Sequence, residues 1–340
     1  MKKLTLIVLL CVLAFGVALA QRFGGWRWRG GNGGGDTGIV ETEGHVPVNV
    51  DTVKTARETP SGSTGTPNWT NEQGFERDVF SFVRIIYRRA RNDSGISTTS
   101  SWRGWITDYP DSDLNLSYRI QQVTSMKVNP DGRVLRLTDP ALYDYPWIYM
   151  VEPGGLELKN EEIPILRKYL LNGGALMADD FWGQKQWDNF EHNIKRVLPE
   201  RQFVELPMSH PIFHCVFDLN VPKNKLQTPN IQQGIRSLDP YDADYGITWE
   251  YYHDDYDNDR YGYGRRPDRE TRLHAGQAAH DMHVRAIFDD KNRIMVIATH
   301  NCDNGDSWER EGEDDGFFHE FSEKRGFPLG INIIFYLMTH

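Results

Sequence analysis

Apolar and polar positions divide the chain into three stretches. An uncharged run from Leu4 to Val17 follows Lys2 and Lys3 and ends in Ala18-Leu19-Ala20. From Gln21 to Thr70, Gly, Thr, Pro and Ser dominate, and apolar residues are too sparse to offset the entropy of ordering, so residues 21–70 read as a flexible leader. Ordered sequence is expected from near Phe75, where apolar segments begin to recur with the periods of strands and helices.

The first strand is expected at Phe82-Val83-Arg84-Ile85-Ile86-Tyr87. Asp111 and Ser112 can cap a helix carrying Leu114, Leu116, Ile120 and Val123, and further strands follow at Val134 to Leu137 and Trp147 to Val151. A helix from about Asn160 to Leu171 places Ile163, Leu166, Leu170 and Leu171 on one face, with Pro164 close to its start and Asn172-Gly173-Gly174 ending it. The short apolar strand Ala175 to Ala178 stops abruptly at Asp179-Asp180. Gln184 to Val197 is helical by the spacing of Trp187, Phe190, Ile194 and Val197. Strand alternating with helix predicts a parallel α/β sheet, since each crossover needs a covering helix. His283 to Phe288 and Arg293 to Thr299 flank a turn, which adds an antiparallel hairpin. Ahead of this hairpin, residues 220–280 are polar and rich in Tyr and Asp, the pattern of an insertion, and Leu329 to Met338 reads as a buried terminal helix.

Charge and the two ends refine this picture. With 38 Lys and Arg against 48 Asp and Glu, the chain is acidic, which argues against gripping a phosphate backbone; nucleic acid is not an expected partner. The apolar run near the start is shorter than the ~20 residues of a spanning helix, so a cleaved export signal, residues 1–20, is preferred to an anchor. The expected location is periplasmic or secreted, and the protein does not span the membrane after cleavage. Cys11 follows Leu10 where a lipoprotein signal would carry a small residue. Cys215 and Cys302 remain after cleavage, and either a disulfide or two free thiols is compatible with the sequence. Arg22, Trp26, Arg27, Trp28 and Arg29 could stack on a cell-wall polymer or nucleic acid, the alternative to a plain leader.

Several motifs coincide in order and spacing: Trp105-x-x-Asp108-Tyr109-Pro110-x-x-Asp113-x-Asn115, Tyr145-Pro146-Trp147-Ile148-Tyr149, Leu166 to Asp180 with Gly173-Gly174, His210-Pro211-Ile212-Phe213, and Gly330-x-Asn332. Together they resemble the bacterial domain-of-unknown-function family 4159, from roughly Phe80 to the C-terminus. That family looks like a relative of the class I glutamine amidotransferase fold, which implies a flavodoxin-like three-layer sandwich. In the wider fold, the strand matching Ala175 to Ala178 leads to a nucleophilic cysteine, and this chain has Asp179, Asp180 and Phe181 there. The resemblance therefore implies a scaffold without thiol chemistry. Members of the family occur with von Willebrand A-like and membrane-anchored modules, which implies a protein partner.

Ligands of open α/β sheets bind beyond the carboxyl ends of the strands, which makes Asp179 and Asp180 candidates for ligand binding, with helix capping as the alternative. Asp108, Tyr109 and Asp113 can join them, Pro110 holding Tyr109 extended. His210 and His214 stand four apart as metal ligands would, yet Pro211 suits His210 to capping. Asp303 and Asp306, with His300, form another polar group. Asp255-x-Asp257-x-Asp259 spaces oxygen ligands as in calcium loops, but Arg260 and Arg266 replace the turn glycine and the closing glutamate. No metal or other cofactor is expected, calcium at that loop being the alternative. His319-Glu320 opens a zinc-peptidase pattern that Glu323 breaks. Two functions follow. One is a non-enzymatic binding or scaffold module of the cell envelope engaging a protein or glycan. The other is an envelope hydrolase of carbohydrate or peptide, with Asp180 and Asp108 as catalytic acid and base and His210 assisting.

Overall fold

Segments such as Trp147-Ile148-Tyr149-Met150-Val151 are apolar without alternation, so both of their faces must be covered. The chain meets that need with helices on either side of a mostly parallel sheet. The computed structural model describes residues 38–74, 78–89, 104–250 and 279–340. The expected export signal, the Arg/Trp stretch and Asp255, Asp257 and Asp259 lie outside the described residues.

Two short strands, β1 (Ile39–Glu41) and β2 (Pro47–Asn49), pair antiparallel. The main sheet comprises β3 (Val83–Ile86), β4 (Arg133–Arg136), β5 (Trp147–Val151), β6 (Ala175–Asp179), β7 (Val204–Glu205), β8 (His283–Phe288) and β9 (Ile294–His300), in the order β4-β3-β5-β6-β9-β8-β7. β4, β3, β5, β6 and β9 are parallel; β8 and the two-residue β7 extend the sheet antiparallel. Counting the parallel strands along the chain gives the order 2-1-3-4-5, that of a flavodoxin-like sandwich.

The crossovers are α1 (Asp111–Val123), α2 (Glu162–Leu171) and α3 (Gly183–Val197), followed by α4 (Ile231–Leu238), α5 (Asn304–Glu309) and the terminal α6 (Phe327–Thr339). Alternate strand residues divide between two cores. Ile148, Met150, Leu176, Ala178, Val296 and Ala298 pack with Leu166 and Leu170 of α2 and Phe190 and Ile194 of α3. Trp147, Tyr149, Ala175, Met177 and Ile297 pack with Leu116 and Ile120 of α1 and Leu329, Ile331, Ile333 and Ile334 of α6. The terminal helix is therefore buried along its first two turns, as its composition predicts.

Two sequence expectations, the flexible leader and the Asp111 cap, need correction. The leader is folded from Gly38 onward: Val40, Val48, Val50, Val53 and Ala56 are buried in the first core, and Val134 N donates to Lys54 O at 2.9 Å along the outer side of β4. A few well-placed valines suffice there because they complete an existing core instead of building one. Within the segment read as an insertion, the described residues Gln227, Thr228, Ile231, Gln233 and Ile247 are buried. Asp111 does not cap α1 with its side chain; its Oδ2 accepts Gly62 N–H at 2.7 Å. The Tyr109-Pro110 peptide bond is cis. Cys215 and Cys302 are both free thiols, Cys215 donating to Asn332 O at 3.2 Å. Gly330 and Asn332 carry packing: a Cβ on Gly330 would meet the Trp308 ring at 2.6 Å, and Asn332 Oδ1 accepts Phe217 N–H at 2.8 Å. Among the described residues, no helix is long and apolar enough to cross a membrane.

Candidate functional site

The crevice begins with a charge inside the sheet. Arg84 stands in β3 between Val83 and Ile85 and is wholly buried, so it must be paired where it sits. Its Nε donates to both oxygens of Asp113 at 3.0 Å, its Nη1 to Trp105 O at 3.0 Å and Thr107 O at 2.8 Å, and its Nη2 to Ser112 Oγ at 2.8 Å. The guanidinium thereby ties the loop over Trp105 to Asp113 onto the end of β3. The loop so fixed contains Asp108. Tyr109 is buried and donates its hydroxyl to Thr55 O at 2.8 Å, so both Asp113 and Tyr109 are committed to holding this loop.

Among the described residues, four other than glycine take left-handed backbone angles at the carboxyl ends of the parallel strands. They are Asp108 (φ 62°) beyond β3, Glu152 (φ 48°) after β5, Asp180 (φ 56°) after β6 and Asn301 (φ 59°) after β9. Each such conformation costs on the order of 1 kcal/mol or more, and such strain gathers at functional sites. The chain thus holds three carboxylates in place at the mouth of the sheet at an energetic cost.

Asp179 and Asp180 divide between capping and the crevice. Asp179 Oδ2 accepts Asn304 N–H at 3.0 Å, Gly305 N–H at 3.1 Å and the Tyr149 hydroxyl at 3.2 Å, while Oδ1 accepts Thr299 Oγ1 at 2.5 Å and Asn304 Nδ2 at 2.8 Å. It is saturated and caps α5. Burial pushes its carboxyl up to about 6, against these hydrogen bonds. Asp180 points elsewhere: its Oδ1 accepts Trp182 Nε1–H at 2.9 Å, and one of its carboxylate oxygens lies within 4.8 Å of oxygens of both Asp108 and Asp303. Asp303 Oδ1 accepts Asp306 N–H at 2.8 Å, which fixes its orientation. Asp108, Asp180 and Asp303 are 1%, 3% and 4% exposed, and Asp108 Oδ2 has no hydrogen-bond partner. It lies against Gly305, where a Cβ would come within 2.0 Å of it. Burial first, then neighbouring carboxylates, raises all three carboxyls well above the usual range.

Asp108 also belongs to a second group, with Glu43 and Glu309. That one contains its own cation. Arg310 pairs with Glu43, with Glu309 Oε2 at 3.1 Å and with Asp306 Oδ1 at 2.8 Å. These partners outweigh the burial that would lower its pKa and hold it above its ordinary value. Above it opens a cleft of about 180 Å3 lined by Glu41, Glu43, Arg89, Ile106, Thr107 and Glu152. Arg89 and Glu152 face each other across it at 3.0 Å. These two follow β3 and β5, the strands between which the chain order reverses, so the cleft sits at the topological switch point.

The structure separates His210 from the aspartates. Its Nδ1 accepts Ile212 N–H at 3.2 Å, and its ring packs against Tyr336 and Phe288. Phe288 pairs with Ile294 at the start of β9, whereas Asp179 pairs with Thr299 near the end of that strand. His210 thus lies toward the opposite end of the sheet, because its proline-flanked turn packs against α6. His214 is occupied as well, its Nδ1 2.5 Å from Asp218 and its Nε2 2.7 Å from Met208 O. Among the described residues, the groups able to hold a metal are the two acidic triads, and neither contains a histidine. Asp303 was legible as a polar residue after a strand; Arg84 and Glu43 were not read as site residues, although a lone arginine inside an apolar strand is itself a signal of a buried pair.

Cys302 follows β9 but is not poised as a nucleophile. It is fully buried, its Sγ lies 3.2 Å from Thr228 Oγ1, and burial pushes the thiol up. His300, two residues earlier, turns to Gly183 O at 3.0 Å.

Fold and site together define a flavodoxin-like α/β protein with a strained, carboxylate-lined crevice at its switch point. The chain belongs to the family described as Domain of unknown function (DUF4159), whose model matches residues 96–338. No curated protein matches it.

Proposed function

We propose that this is an exported protein of the cell envelope that works as a binding module, engaging a partner protein through the acidic cleft at the switch point. The observation that carries this reading is the cleft's lining, in which, among the described residues, Glu41, Glu43 and Glu152 outnumber the one lining cation, Arg89, with Arg310 pairing Glu43 from outside the lining. A lysine or arginine of a partner complements such a surface, and electrostatic matching steers association. The loss of the cysteine at the position after β6 and the burial of Cys302 support binding over thiol-based hydrolysis. A carboxylate hydrolase has one observation in its favour, the convergence of Asp108 and Asp180. Their near-complete burial weighs against it, since acid and base must reach a substrate bond.

The test is carbodiimide cross-linking of the mature protein in envelope extract, which joins carboxylates to lysines without a spacer. The expected result is a partner coupled through Glu41, Glu43 or Glu152, its capture falling at least tenfold at high salt and in the Glu43→Gln/Glu152→Gln variant. Capture that is indifferent to both changes, or cross-links confined to other surfaces, would overturn the proposal.

A further inference from the structure

Two acidic triads share Asp108, and among the described residues only one of them is paired with a cation. Arg310 serves Glu43 and Glu309, and Arg84 is committed to Asp113. Among the described residues, no lysine or arginine pairs with Asp108, Asp180 or Asp303, although their carboxylate oxygens lie within 4.8 Å of one another. Three carboxylates cannot stay charged at that separation in a buried site without a compensating charge. Asp108 Oδ2 is buried and accepts no hydrogen bond, so its lone pairs are free to coordinate a ligand. The other two side chains are already fixed in rotation, Asp180 by Trp182 and Asp303 by the first turn of α5.

We propose that Asp108, Asp180 and Asp303 together bind a hard divalent cation of the calcium and magnesium class. The donors are all oxygens, which such ions prefer. A calcium ion with ligands at about 2.4 Å spans about 4.8 Å between opposite oxygens, within the spacing seen here. Soft or borderline metals would seek nitrogen or sulfur, and no histidine or cysteine enters the group. The ion would tie together the chain ends after β6 and β9 and the loop after β3. It thereby sets the floor of the cleft, since Thr107, next to Asp108, lines it. This inference rests on the crevice being the ligand-binding surface, but its test needs no partner.

Trp182 donates to Asp180, which places an indole antenna beside the site. Terbium luminescence excited through tryptophan therefore reads binding directly on the full mature chain. The expected result is saturable emission, displaced by millimolar calcium or magnesium. Asp108→Asn and Asp180→Asn should each weaken terbium binding at least tenfold while keeping a cooperative thermal transition in metal-free buffer. Independently of any variant, calcium or magnesium should raise the wild-type melting temperature. Wild-type affinity in both variants, absence of sensitised emission, or loss of binding only when Asp255, Asp257 and Asp259 are replaced by Asn would each overturn the proposal. Cation binding without partner capture would refute the proposed function and leave this site standing; capture without cation binding would do the reverse.

Discussion

Arg84 and Asp113 form the pair on which the position of Asp108 depends. Both side chains are fully buried, so removing one partner leaves an uncompensated charge in the core. Asp113→Asn is expected to destabilise the fold by about 3–5 kcal/mol, read by urea denaturation. A loss below about 1 kcal/mol would mean that the guanidinium finds other partners and that the loop is held some other way. At this scale the sequence was partly legible. Asp180 stood out as a carboxylate after a strand and Asp108 as one beside Tyr109-Pro110 in a loop, and both do face one crevice. Asp113 and Tyr109 looked like ligand residues but are spent on the loop. That distinction is invisible in one dimension, because it depends on Arg84, 29 residues away from Asp113, reaching them through the core.

At the scale of elements, the end of β9 is docked onto the start of α3 by His300, whose Nε2–H donates to Gly183 O. Burial, with help from Arg285 and His283, lowers the imidazole's pKa from 6.5 to about 3. The unfolded chain therefore takes up a proton below about pH 6.5 that the folded chain excludes until about pH 3. Stability from this residue is complete above pH 6.5 and is lost as the pH falls toward 3. His300→Gln keeps a donor for Gly183 O and cannot titrate. The stability difference between wild type and this variant should shrink between pH 7 and pH 4.5; a difference that stays constant would contradict the burial of a neutral imidazole. The buried strands were legible because burial on both faces leaves an unbroken apolar run, as in β5 and β9. β1 and β2 were not, because three-residue strands carry too little alternation to be told from a loop rich in Gly, Thr and Pro. His210 was legible as a cap and not as to location, since the packing of its turn against α6 is set by the tertiary fold.

For the whole molecule, the alternation of strand and helix sufficed to give the parallel order, and that order fixes where a ligand can bind. From β3 the chain crosses to β4 on one side and from β5 to β6 on the other, which opens the cleft between β3 and β5, and the chain lines that cleft with glutamates. The opposite end of the sheet, where His210 packs against α6, carries no comparable group of carboxylates among the described residues. The proposed working surface is therefore the carboxyl ends of the strands. Hydrogen exchange of the protein, alone and saturated with the partner recovered by cross-linking, tests this most directly. Slowed exchange is predicted for residues 104–110, 152–156 and 301–310. Protection confined to β7, β8 and α6, with those three segments unchanged, would contradict the account.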